Sequence, residues 1–154
     1  MTYAQLTRFM LPLVLTALVQ ELSGPFLNGG MARMPRATET LAAFGLAYGI
    51  VGLLAGVLTQ ARQFGLVLIE HDQGYRTVLR FGIAAGLSIS GMVALLAWTP
   101  AGSWLITDLH GVSPALTEVV LLAFAWFVPF PLIRSLTRIY IGTLLRIRRS
   151  DIPA

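Results

Sequence analysis

The chain has no cysteine and no lysine, and only 12% of its residues are charged. Without cysteine there is no disulfide framework, no thiol nucleophile and no thiolate metal site, and the redox compartment is unreadable. Without lysine, all 11 basic residues are arginines; 7 acidic residues oppose them, leaving a net charge of +4. Soluble domains carry about 25% charged residues, so a soluble globule of this composition would lack the polar surface to cover itself. What the chain has instead is apolar. Hydrophobic residues make up 56% of it, and its mean hydropathy is +0.75.

Two charge-free runs dominate: Thr40–Ala61, 22 residues, and Phe81–Thr107, 27 residues. A bilayer-spanning helix needs roughly 20 such residues. Two more runs, around Phe9–Asn28 and Leu116–Tyr140, are long enough but carry Glu21 in the first and Arg134 and Arg138 in the last. The expected fold is therefore an all-α integral membrane protein. It is a bundle of about four transmembrane helices in a single domain, 1–154, with spans near 9–28, 40–69, 78–99 and 115–140. Arg8 before the apolar Phe9–Val19 imitates a signal peptide. The following Gln20-Glu21-Leu22-Ser23-Gly24-Pro25 lacks a small-x-small cleavage pattern, so this segment reads as a retained first span.

Turn signals separate the spans. Asn28-Gly29-Gly30 and Met34-Pro35 close the first, and His71-Asp72-Gln73-Gly74 divides the second from the third. Thr99-Pro100 ends or kinks the third, and Ser113-Pro114 introduces the fourth, with Ser113 or Thr117 as its cap. Four spans put both termini on one side. That side receives Arg8, Arg62, Arg76, Arg80, Arg146, Arg148 and Arg149, whereas the other receives only Arg33 and Arg36. The asymmetry predicts cytoplasmic termini, and the expected location is the inner (plasma) membrane of a bacterium. Clustering at span ends assigns the arginines to the lipid bilayer and not to nucleic acid. Trp98, Trp104 and Tyr140 fall at expected interfaces.

Gly45, Gly49, Gly52 and Gly56 recur at spacings of four, three and four, on one helical face. Such a stripe suits close helix packing, or a sliding contact in a moving protein; Gly82 and Gly86 repeat the pattern. Two places could carry chemistry. Glu21 lies deep in the first span, and Pro25 should disrupt the turn before it, leaving a carboxylate beside a broken helix. That arrangement suits ion or proton coupling, the alternative being a structural carboxyl. Pro129-Phe130-Pro131 should kink the last span, and Arg134 and Arg138, four apart, share a face. They could hold a phosphate or carboxylate, or snorkel to the cytoplasmic boundary, which Arg138 lies nearer. His71 and His110 have no company for a metal site. No catalytic triad, phosphate loop or dinucleotide fingerprint appears, so neither an enzyme nor a cofactor is expected.

Pro25-Phe26-Leu27-Asn28-Gly29-Gly30-Met31-Ala32-Arg33, together with Glu39-Thr40-Leu41-Ala42-Ala43-Phe44-Gly45-Leu46-Ala47-Tyr48, resembles the amino-terminal part of the progressive ankylosis protein family. Phe64-Gly65-Leu66-Val67-Leu68 and Leu109-His110-Gly111-Val112 extend the likeness. That family is similar to the multidrug/oligosaccharidyl-lipid/polysaccharide exporter superfamily. The resemblance implies a transporter of two lobes, each of about six helices, working by alternating access and exporting small anions such as pyrophosphate, nucleotide or citrate. It places functional residues at Glu21, Asn28 and Arg33; Arg134 is added on physical grounds as a substrate-binding residue. Four spans correspond to about two-thirds of one lobe. A truncated product, a gene fragment, or a small protein assembling into homo-oligomers in place of the second lobe are all compatible with that length. A non-transporting assembly or accessory protein and a lipid-precursor flippase are the competing functions.

Overall fold

The computed structural model describes residues 3–67 and 72–150, all of them helical or in short turns. His71 of the expected second turn, and the end of the expected second span, lie outside the described residues. The chain forms two compact units, Met1–Ala42 and Ala43–Ala154.

The first unit is built on α1 (Tyr3–Met31), 29 residues long. The helix runs through Pro25 and on through Asn28-Gly29-Gly30. The expected break at Pro25 is thus corrected, and the helix ends at Met31, just before a turn that contains Met34-Pro35. Proline removes one ladder donor, here the one that Glu21's carbonyl would use, but it does not have to interrupt the helix. A short turn then reaches Arg36, which takes a left-handed φ of 61°. Its carbonyl accepts from the Thr40 backbone N–H (3.1 Å) and hydroxyl (3.3 Å). Its guanidinium pairs with Glu39 at 2.6 Å. Glu39 in the first turn of α2 (Ala37–Leu54) also complements the helix dipole.

Three helical rods make up the second unit. The first is α2 continued by a 3₁₀ segment, Ala55–Gln60, and by α3 (Ala61–Val67). The backbone stays right-handed helical at both joints, Leu54 and Ala61, so the rod changes pitch without breaking. Gly56, β-branched Val57 and Thr59 weaken the α-helical ladder here, and the Thr59 hydroxyl bonds back to the Gly56 carbonyl. The second rod is α4 (Asp72–Trp98), stopped at Thr99-Pro100. After it come α5 (Pro100–Trp104) and a π-helical turn, Leu105–Leu109. Gly111, at φ 65°, then turns the chain.

The third rod joins α6 (Pro114–Phe127) and α7 (Phe130–Ser150) across a break at Val128-Pro129. Pro114 sits at the first helical position of α6, as expected. Ser113 occupies the cap position, but its side chain makes no cap bond; instead its carbonyl accepts from the Thr117 backbone N–H (2.9 Å) and hydroxyl (3.1 Å). Thr117 also meets Thr107 at 3.2 Å, tying α6 to the π-helical turn.

α7 packs between the other two rods, against α4 on one side and α3 with the 3₁₀ segment on the other, and α6 continues the contact with α4. One core joins Ala43, Ala47 and Val51 of α2 to Val93, Ile106, Val120 and Phe124; a smaller one holds Ala61, Val78 and Ile139. Between them α4 and α7 touch closely. A Cβ on Gly86 would come within 2.9 Å of the Leu132 Cα, and Ser135 donates to the Gly82 carbonyl at 2.8 Å. These are the small-residue contacts of membrane helices.

The stripe Gly45, Gly49, Gly52 and Gly56 does not make such a contact. Nothing lies within 4 Å of a Cβ placed at any of the four, and α2 packs through Ala43, Ala47 and Val51 instead. The spacing identifies a small-residue face correctly but cannot say which face meets a neighbour. Gly49→Ala and Gly52→Ala should accordingly leave the chain's fold intact, each strengthening the helix by up to about 1 kcal/mol. Thermal melts followed by circular dichroism check this; a loss of stability would place a packing partner on the stripe.

Large apolar side chains point outward: Leu53 is 81% exposed, Trp126 79% and Val57 70%. Three stretches are long and apolar enough to cross a membrane, Ala37–Phe64, Gly74–Trp98 and Pro114–Thr143. They overlap the second, third and fourth expected spans, the second beginning at Ala37.

Candidate functional site

The break between α6 and α7 lies beside a cluster of aromatic rings and the Arg134 guanidinium. Pro129 and Pro131 lack N–H groups, so the carbonyls of Ala125 and Phe127 lose their ladder donors. The Ala125 carbonyl is met by the Val128 N–H at 3.4 Å, a long bond. Phe127 and Phe130 flank the break with ring centroids 6.0 Å apart. Facing them, Phe44 and Tyr48 stand one turn apart on α2 and stack at 5.6 Å, with their planes 12° apart. Phe44 lies 5.6 Å from Phe127, and Tyr48 lies 6.0 Å from Phe127 and 6.2 Å from Phe130. The four rings form one cluster.

One turn into α7, the Arg134 guanidinium lies over the Phe130 ring, 5.9 Å from its centroid. Its side chain is half-buried. Among the described residues the only ion pair is Arg36–Glu39, so no carboxylate there neutralises Arg134. Nine residues separate it from the end of the Pro114–Thr143 stretch, roughly 13 Å along a helix. Arg138 is five residues from that end, roughly 7 Å, within reach of snorkelling. The face shared by Arg134 and Arg138 is realised, because α7 is unbroken from Phe130 to Ser150.

Glu21, Asn28 and Arg33 belong to the first unit, and all three are exposed. Glu21 and Asn28 are seven residues apart on an unbroken helix, which puts them on one face, two turns apart. Arg33 lies beyond the helix end, its backbone N–H donating to the Gly30 carbonyl at 3.1 Å. No group of three metal-ligating side chains occurs among the described residues. His110 instead bonds through Nδ1 to the Leu105 carbonyl at 2.8 Å, an acceptor in the π-helical turn.

Sequence reasoning singled out Arg134 and the prolines but not the ring cluster of Phe44, Tyr48, Phe127 and Phe130. Their local signal was present, as Phe44 and Tyr48 are four apart and Phe127 and Phe130 straddle Pro129. What joins the two pairs is contact between residues 79 to 83 positions apart in the chain, which no local spacing records.

Long apolar helices packed through small residues, with apolar side chains turned outward, define an all-helical integral membrane protein. Over residues 1–153 the chain matches the progressive ankylosis protein (ANKH) family, and it belongs to that family. No solved structure matches it.

Proposed function

We propose that this chain serves membrane transport of small anions, with the Arg134 guanidinium as an anion-binding group at the broken third rod. The supporting observation is a half-buried arginine, roughly 13 Å inside a membrane-crossing stretch, with an aromatic ring beneath it and no carboxylate partner among the described residues. A cation in that position is costly without a counter-charge, and a bound phosphate or carboxylate supplies one in bidentate fashion. Membership of the progressive ankylosis family agrees with a transport role. Pyrophosphate, nucleotide and citrate are the anions of this reading, moved by alternating access. A second lobe or further copies of the chain would complete the path.

Glu21 is the ion- or proton-coupling group of the proposal, with Asn28 and Arg33 at the same end of α1 as further substrate contacts. Counterflow of a labelled anion into proteoliposomes tests the whole. Wild-type protein should exchange pyrophosphate or citrate, whereas Glu21→Gln should lose uphill accumulation and retain exchange. Absence of exchange with every soluble anion, coupled to competition by lipid-linked substrates, would replace this reading with a lipid-precursor flippase.

A further inference from the structure

Ser90 lies on α4 with 7% of its surface exposed, and its hydroxyl has no hydrogen-bond partner among the described residues. The contacts on either side fix what it faces. Gly82 lies against Ser135 and Ile139, and Gly86 against Leu132 and Ser135, so α7 runs antiparallel past α4. Beyond Ser90, Val93 shares a core with Val120 and Phe124. Interpolating between these contacts brings Ser90 level with Val128-Pro129, where the hydrogen-bond ladder of the third rod is interrupted although Val128 keeps a right-handed helical backbone. A buried hydroxyl without a partner thus meets the one stretch of that rod where two carbonyls have lost their ladder donors to proline.

We propose that a single bound water sits between Ser90 and this break. It accepts the Ser90 hydroxyl hydrogen bond and donates to the Phe127 and Ala125 carbonyls. Each partner has a reason to need it. The hydroxyl is buried and unpaired, Pro131 leaves the Phe127 carbonyl without its donor, and the Val128 bond to Ala125 is long at 3.4 Å. Three polar partners are the usual complement of a buried water. Water is also one of the means by which membrane helices satisfy carbonyls freed by proline. A metal cation fits less well, since the donors are neutral and Arg134, two turns along the chain from Phe127, already places a positive charge on the same rod. The water would fasten the kink of the third rod to α4, whatever the chain transports.

The sign of one substitution separates this from a dry, unsatisfied hydroxyl. If Ser90 has no partner, Ser90→Ala removes a buried polar group at no loss and raises the unfolding midpoint. With the bound water, Ser90→Ala lowers the midpoint by about 3 °C. Pro131→Ala restores an N–H for the Phe127 carbonyl, so in that background the loss from Ser90→Ala should shrink to less than half. Ser90→Asn, whose amide extends into the space of the water, should keep the wild-type midpoint. Melts of the purified full chain in detergent read all four variants, including the double. An unchanged or raised midpoint in Ser90→Ala, an equal loss in both backgrounds, or a collapse of Ser90→Asn each overturns the proposal. Should Pro131→Ala fail to fold, the two Ser90 variants decide alone: a loss in alanine with retention in asparagine supports the water, and any other pair rejects it.

Discussion

Gly102→Ala should destabilise the chain by about 3 kcal/mol, more than any other single added methyl group considered above. Pro100 has no N–H, so it cannot bond the Leu96 carbonyl four residues earlier, and the end of α4 is left with an open acceptor. The chain folds back over that acceptor as α5, held by Thr99 N–H to Leu95 O at 3.0 Å and Gly102 N–H to Thr99 O at 3.2 Å. Gly102 is buried there, and a Cβ would land on the Leu96 carbonyl oxygen. It would also come within 2.8 Å of the Leu96 carbonyl carbon and 2.9 Å of Leu121 Cδ2. Two of those three atoms are backbone and cannot rotate away. Relief requires α5 to lift from α4, which would pull the Thr107–Thr117 contact and the start of α6 with it. Unfolding in detergent by increasing denaturant measures the loss; Gly49→Ala, open on all sides, is the matched control. Equal stability of the two variants would mean that α5 does not close over α4.

Arg134→Gln should lower anion exchange on the order of 100-fold, while Arg138→Gln should change it by less than about 3-fold. The difference follows from depth. Removing one member of a desolvated charge pair costs about 2–5 kcal/mol, whereas a charge that reaches the rim contributes little. Arg134→Lys should recover only part of the activity. An ammonium keeps the charge but loses the planar fork, and with it bidentate contact and stacking over Phe130. Phe130→Leu provides a further check, because it removes the ring beneath the guanidinium and leaves the charge in place. Counterflow in proteoliposomes, normalised to protein inserted, gives all four values. Full activity of Arg134→Gln would take Arg134 out of the anion path and leave it a snorkelling residue.

Much of this architecture is legible in the chain before any coordinates. The charge-free run Thr40–Ala61 contains most of one membrane-crossing stretch, Ala37–Phe64. Pro100 and Pro114 mark helix starts because a fixed φ and a missing N–H suit the first helical turn and no later one. Pro129-Phe130-Pro131 marks the break for the same reason. Pro25 shows the limit of that logic: one proline removes one bond, and α1 bridges it. The 3₁₀ segment Ala55–Gln60 was not foreseen. Its residues are as apolar as their neighbours, and only the pitch differs.

The sequence by itself determined that this is an all-helical membrane protein and that Pro100 and Pro114 begin helices. These properties depend on hydropathy, span length and backbone donors, all of which are local. Only the tertiary structure decided which small-residue face makes contact: Gly82 and Gly86 rather than Gly45, Gly49, Gly52 and Gly56. It alone brought Phe44 and Tyr48 to Phe127 and Phe130. In a bilayer the outside of a helix is as apolar as its packed side, so hydrophobic periodicity cannot distinguish them. That choice falls to the fit of one backbone against another.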